Sequence, residues 1–151
     1  MSFQEQVLTV YETVVEQACS FRREGKEVTT TFFLVCSDRT VLLPSESLPS
    51  DKEQLAAFVQ TAVSLLGARY VIHATEAWVS RIADGKAPSE QPDRAEVILV
   101  MVEGQGLRRI ATIPILPGNT LGERTDCDTF DGRFSNLTNS NSGPTNSEEY
   151  H

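Results

Sequence analysis

The side chains in this sequence that could do chemistry lie in its middle third: His73, Glu76, Arg81 and Arg94. Carboxylates and imidazoles transfer protons, and arginines bind anionic groups, so this set could serve a small enzyme or a ligand-binding domain. Glu76 stands out because the alternation over residues 69–82 puts it between Ala74 and Trp78, on the more apolar side of a strand. A carboxylate in that position needs either a function or a partner.

A structural role for Glu76 is the favoured interpretation. The carboxylate would then pair with an arginine, with Arg94 as the named candidate, or lie exposed near the end of the sheet. The functional alternative is a general acid or base held beside Trp78.

The spacing of the metal-binding residue types predicts no metal site. His73 and Glu76 form an H-x-x-E pattern, but residues three apart on a strand point to opposite faces. His151 is the only other histidine, so His73 is expected to be an ordinary, partly exposed side chain. The acidic segment 126–132 lacks oxygen ligands at the fifth and twelfth positions of a calcium loop. The Gly-rich motifs of nucleotide sites are absent as well, so no cofactor is expected.

Hydrophobic periodicity predicts two helices and five strands in the order α-β-β-α-β-β-β. The expected segments are a helix from 3 to about 25, strands over 28–36 and 41–43, a helix to residue 66 capped by Ser50 and Glu53, a strand over 69–82, and a hairpin of 96–103 with 107–115. This pattern indicates an α+β domain with one mostly antiparallel five-stranded sheet.

The composition changes at Pro117, which predicts a domain over 1–117 and a tail over 118–151. Nineteen of the tail's 34 residues are Gly, Asn, Ser, Thr or Pro, and six acidic residues against two arginines give it half of the chain's net charge of -8. Such a segment buries too little apolar surface to offset its ordering entropy. We therefore expect a flexible acidic tail.

The loop before the fourth strand carries a recognisable pattern. Glu76-Ala77-Trp78, followed by Pro88-Ser89-Glu90-Gln91-Pro92-Asp93-Arg94-Ala95-Glu96-Val97, resembles a motif of small bacterial and phage proteins: E-A-W, then P-S-x-x-P-D-R-x-E-V. The resemblance covers residues 69–115 and implies no established activity. From the residues themselves, the loop over 88–94 is expected to be a stiff structural corner, with a ligand-binding rim as the alternative.

Charge and cysteine usage narrow the class of protein. A net charge of -8 over 151 residues argues against nucleic-acid and anionic-membrane binding. The longest wholly apolar run has six residues, Val97 to Val102, far short of a membrane span. No Lys or Arg precedes Arg22, so we expect no secretory signal and a cytoplasmic location. Cys19 and Cys36 are expected to be reduced core residues.

The number of apolar strand positions predicts a docking surface. If both helices cover one face of the sheet, Val71, Ala77 and Val79 lie on a second face that something else must cover. The leading hypothesis is therefore a non-enzymatic interaction or assembly protein that forms a homo-oligomer or docks a protein partner through this face. The alternative is a small enzyme or ligand-binding domain with its site around Glu76 and the 88–94 loop.

Overall fold

The computed structural model describes residues 1–79, 85–86, 90, 92 and 94–128. The elements are α1 (Phe3–Arg23), β1 (Thr31–Val35), β2 (Thr40–Leu43), α2 (Lys52–Leu66), β3 (Tyr70–Val79), β4 (Ala95–Gly104), β5 (Leu107–Leu116), β6 (Thr120–Leu121) and β7 (Thr125–Cys127). The α+β class and the order of the first seven elements are confirmed. Arg81, most of the 88–94 loop and the chain from 129 onward lie outside the described residues.

The strands of the described chain form one antiparallel sheet in the order β2-β1-β3-β4-β5-β6, with β7 also paired to β5. The sheet therefore has seven strands rather than the five expected. β4 and β5 are joined by a tight hairpin in which Gln105 and Gly106 both have positive φ, at 46° and 81°. These angles suit a two-residue turn whose twist matches that of the flanking strands.

Asp51, rather than Ser50, caps α2. The Asp51 carboxylate accepts hydrogen bonds from the backbone N–H groups of Glu53 at 3.0 Å and Gln54 at 2.9 Å. The capping position is thus one residue later than predicted, because two adjacent side chains here are both good caps. Gly67 ends the helix in the left-handed conformation, at φ 68°.

The two helices pack on opposite faces of the sheet, so the expectation that they share one face is wrong. α1 covers Tyr70, Ile72 and Ala74 of β3, whereas α2 packs on the face that includes Val71 and Ala77. The central strands are apolar on both faces, and periodicity within a helix does not say which face the helix will cover.

The proposed interface residues are accordingly part of the second core or its border. Val71 is fully buried and Ala77 is 5 % exposed. Val79 is half-buried and packs against the same core. α2 occupies the place that was assigned to a partner, so these residues do not form a free docking face.

The folded unit extends beyond Pro117, so the predicted domain boundary is too early. β6 and β7 both pair with β5, and Leu121 packs against the α1 core. Arg124 donates to both carboxylate oxygens of Glu12 on α1, at 2.7 and 2.8 Å. A polar composition can therefore still add strands, because the sheet supplies the backbone partners.

Candidate functional site

Glu76 lies in a structural ion pair. Its carboxylate accepts a hydrogen bond from the backbone N–H of Val28 at 2.7 Å and lies 3.6 Å from the guanidinium of Arg22. Arg22 also lies 3.7 Å from Glu96, and the Glu76 side chain is only 14 % exposed. The arginine comes from the last turn of α1 and not from position 94. This cluster ties the end of α1 and the segment before β1 to the central strands.

Arg94 has a different neighbour. Its guanidinium lies 5.2 Å from the centroid of the Trp78 ring, a cation–π distance, and Trp78 is 36 % exposed. This contact holds the start of β4 against the end of β3 at the surface. Arg94 therefore contacts the ring of Trp78, whereas the sequence had suggested Glu76 as its partner.

His73 lies on the other side of the sheet from Glu76, within the α2 face. The side chain is 2 % exposed, and its ring stacks on Phe32 with centroids 4.2 Å apart. Burial lowers the pKa of His73 to about 3, so the imidazole is neutral near pH 7. The expectation of a partly exposed histidine is wrong, because β1 and the segment before α2 close over this part of β3.

The three candidate residues that the structure describes do not converge on one site. The sheet separates His73 from Glu76, Arg94 lies against Trp78, and Arg81 is outside the described residues. Within the described part of the chain, no group of three or more His, Cys, Asp or Glu side chains could hold a metal ion. Neither α1 nor α2 has the length and apolar character that a membrane crossing needs.

His73 does line a cleft of about 330 Å³ between the sheet and the segment that leads into α2. The lining residues are Thr30, Ser45, Leu48, Pro49, Ser50, Lys52, Leu55, His73 and Thr75. The hydroxyls of Thr30 and Thr75 are hydrogen-bonded at 2.8 Å, and Thr75 donates to the carbonyl oxygen of Glu76 at 3.2 Å. Because both hydroxyl protons are engaged inside the protein, the oxygens of Thr30 and Thr75 offer only acceptor lone pairs to a ligand in the cleft.

A second candidate surface lies on the α1 side of the sheet, where α1 packs mainly over β3 and β4 and Phe33 of β1 is only partly buried at the border of the α1 core. Phe33 of β1 is opposite Leu42 of β2, and Leu42 is 53 % exposed. Phe21, which is 50 % exposed, lines a groove of about 90 Å³ together with Phe33. We call Phe21, Phe33 and Leu42 the open face.

Sequence reasoning missed the open face. The periodicity that predicts α1 gives no sign that Phe21 is half exposed, and the alternation of β1 and β2 does not say how far the helix extends over them. The sequence signal that could have revealed this surface is the position of Phe21 near the C-terminal end of α1, where a helix can extend past the core that it covers.

The outer edge of β2 adjoins the open face. The N–H of Cys36 donates to the carbonyl of Arg39 at 2.7 Å, which closes the β1–β2 hairpin. Hydrogen-bonded and non-hydrogen-bonded pairs alternate along an antiparallel ladder. The next hydrogen-bonded pair is therefore Leu34–Val41, and the backbone groups of Thr40 and Leu42 point away from β1. Among the described residues, no strand pairs with that edge.

Comparisons of the chain with protein-family models, curated proteins and solved structures found no match. The resemblance to small bacterial and phage proteins stays a prediction.

Proposed function

We propose that this protein is a non-enzymatic, cytoplasmic interaction protein that docks a polypeptide on the open face. The observation that carries the proposal is the contiguity of Phe21, Phe33 and Leu42, large apolar side chains that are exposed or only partly buried at the border of the α1 core. An exposed apolar cluster beside a groove is typical of a binding surface.

The placement of the titratable groups supports binding rather than catalysis. Glu76 is held by Arg22 and the Val28 N–H, and His73 is stacked on Phe32 on the opposite face of the sheet. Acid–base catalysis needs its groups within hydrogen-bond reach of one substrate. These two side chains have no common approach.

The docking proposal can be tested with a photo-crosslinking amino acid placed at Leu42. The matched control carries the same group at Leu65, which is 81 % exposed on the outer side of α2. In cells that produce the protein, we expect a discrete adduct from position 42 and none of the same mass from position 65. Phe33→Ser should abolish that adduct while the circular dichroism spectrum is retained.

Two results would count against docking at the open face. One is the same adducts from both positions, since adducts would then report exposure alone. The other is an adduct from position 42 that persists unchanged in Phe33→Ser.

The cleft beside His73 favours a second candidate function, the binding of a small neutral molecule rich in O–H or N–H donors. Its volume of about 330 Å³ lies within the range of ligand sites. The hydroxyl oxygens of Thr30 and Thr75 would accept hydrogen bonds from such a molecule.

Titration with myo-inositol and glycerol, followed by NMR of the His73 ring, tests this second function. A saturable shift that Thr75→Val abolishes would support it, and a shift that never saturates would contradict it.

A further inference from the structure

We infer that a second copy of this chain pairs antiparallel with the β2 edge beside the open face, about a two-fold axis at Val41. This inference goes beyond the proposed function, because the second copy extends the sheet in its plane and does not cover Phe21 or Phe33. In such a dimer the two sheets become continuous, and the open faces of both copies lie on the same side.

The backbone of β2 is self-complementary in this register. Thr40 and Leu42 direct their N–H and C=O groups away from β1, as the hairpin ladder requires. With the axis at Val41, Thr40 of each copy lies opposite Leu42 of the other copy. Both of these pairs are then hydrogen-bonded, so every outward group of β2 finds a partner.

The two neighbouring registers would form fewer hydrogen-bonded pairs within β2. An axis at Leu42 places Thr40 opposite Pro44, which has no N–H to donate. An axis at Thr40 places Leu42 opposite Asp38, which belongs to the turn and not to β2. The Val41 register alone keeps both hydrogen-bonded pairs within the strand.

The side chains at the edge also fit a second copy. Thr40 and Leu42 share the side of the sheet that carries Phe33, so pairing covers part of the exposed Leu42 side chain with Thr40 of the other copy. Residues 40–44 carry no charge, although natural edge strands are commonly protected by lysines or other charges. No like charges therefore face each other across the seam.

Sedimentation equilibrium of the full chain from micromolar to millimolar concentration measures the association. We expect a dimer of the 16.7 kDa chain at the upper end. Thr40→Pro removes an outward N–H that β1 does not use, and it should weaken the dimer about tenfold or more because each copy loses one intermolecular hydrogen bond. Thr40→Val keeps the N–H and is the matched control, which should dimerise as the wild type does.

A disulfide tests the register independently of stability. The two copies of residue 41 form a non-hydrogen-bonded pair with Cα atoms about 4.5 Å apart, within disulfide reach. In a Cys127→Ser background, Val41→Cys should oxidise to a covalent dimer. Leu43→Cys is the control, because its two copies are displaced in opposite directions from the axis and should not link.

The outcomes separate this inference from the proposed function. A chain that stays at 16.7 kDa throughout, or a dimer that is indifferent to Thr40→Pro and unlinked through Val41→Cys, would overturn the second copy as partner. Docking at the open face would still stand if the crosslink from position 42 joined a different protein and depended on Phe33. If no dimer forms and the crosslink from position 42 is also absent, both the dimer and docking at the open face are contradicted.

Discussion

Replacement of Glu76 tests the structural role that its contacts indicate. In Glu76→Gln the amide oxygen can still accept the hydrogen bond from the Val28 N–H, but the charge that faces Arg22 is lost. In Glu76→Ala both interactions are lost, and a buried N–H at Val28 is left without its acceptor. The two variants therefore separate the hydrogen-bonding role of this carboxylate from its charge.

The geometry sets the expected magnitudes. A partly exposed ion pair at 3.6 Å contributes up to about 1 kcal/mol, so Glu76→Gln should lower the free energy of unfolding by about 1 kcal/mol. A hydrogen bond to a charged group contributes about 1.5–3 kcal/mol, so the loss in Glu76→Ala should be about 3 kcal/mol. At about 4 °C per kcal/mol for a domain of this size, the midpoints should fall by about 4 and 12 °C.

Urea unfolding followed by circular dichroism measures both losses, with the slope m checked for constancy. Glu16→Gln, on the exposed side of α1, removes the same charge without these contacts and should leave stability within about 0.5 kcal/mol of the wild type. Equal stability of Glu76→Ala and Glu76→Gln would refute the reasoning, since the Val28 hydrogen bond would then contribute nothing.

Three further outcomes follow from burial and pairing. Because the folded-state pKa of His73 is about 3 and that of the unfolded chain is about 6.5, the unfolded state binds more protons between these values. The free energy of unfolding should therefore fall with decreasing pH, by up to about 1.4 kcal/mol per pH unit below pH 6.5. In His73→Leu, urea titrations at a series of pH values should no longer show this part of the pH dependence. A chain ending at Pro117 should unfold about 2–4 kcal/mol more easily than the full chain, because it lacks β6, β7 and the Arg124–Glu12 pair, whereas Arg124→Gln alone should cost under about 1 kcal/mol. A thiol reagent such as DTNB should modify exposed Cys127 first in the folded protein, and Cys127→Ser should abolish the fast phase, because Cys19 and Cys36 are buried.

Local patterns in the sequence were sufficient to predict the two helices and the strands β1 to β5. The spacing of three and four from Phe3 onward produces α1, and the β-branched and aromatic residues near Phe32 produce β1. The burial of Cys19 and Cys36 was also predicted correctly. Each of these features depends on residues a few positions apart, which interact through the chain's own geometry.

Long-range packing decided which side chains are buried and which form the surface of the proposed docking site. The choice of opposite faces by α1 and α2 buried Val71 and His73 and left Leu42 exposed beside the partly buried Phe33. The arginine that pairs with Glu76 is Arg22, which lies more than fifty residues earlier in the sequence, and not Arg94. Neither outcome is encoded in periodicity, because a stripe of apolar residues specifies that a side will be buried but not what will cover it. The strands β6 and β7 were missed for a related reason: their order comes from the backbone groups of β5, which a polar composition does not reveal.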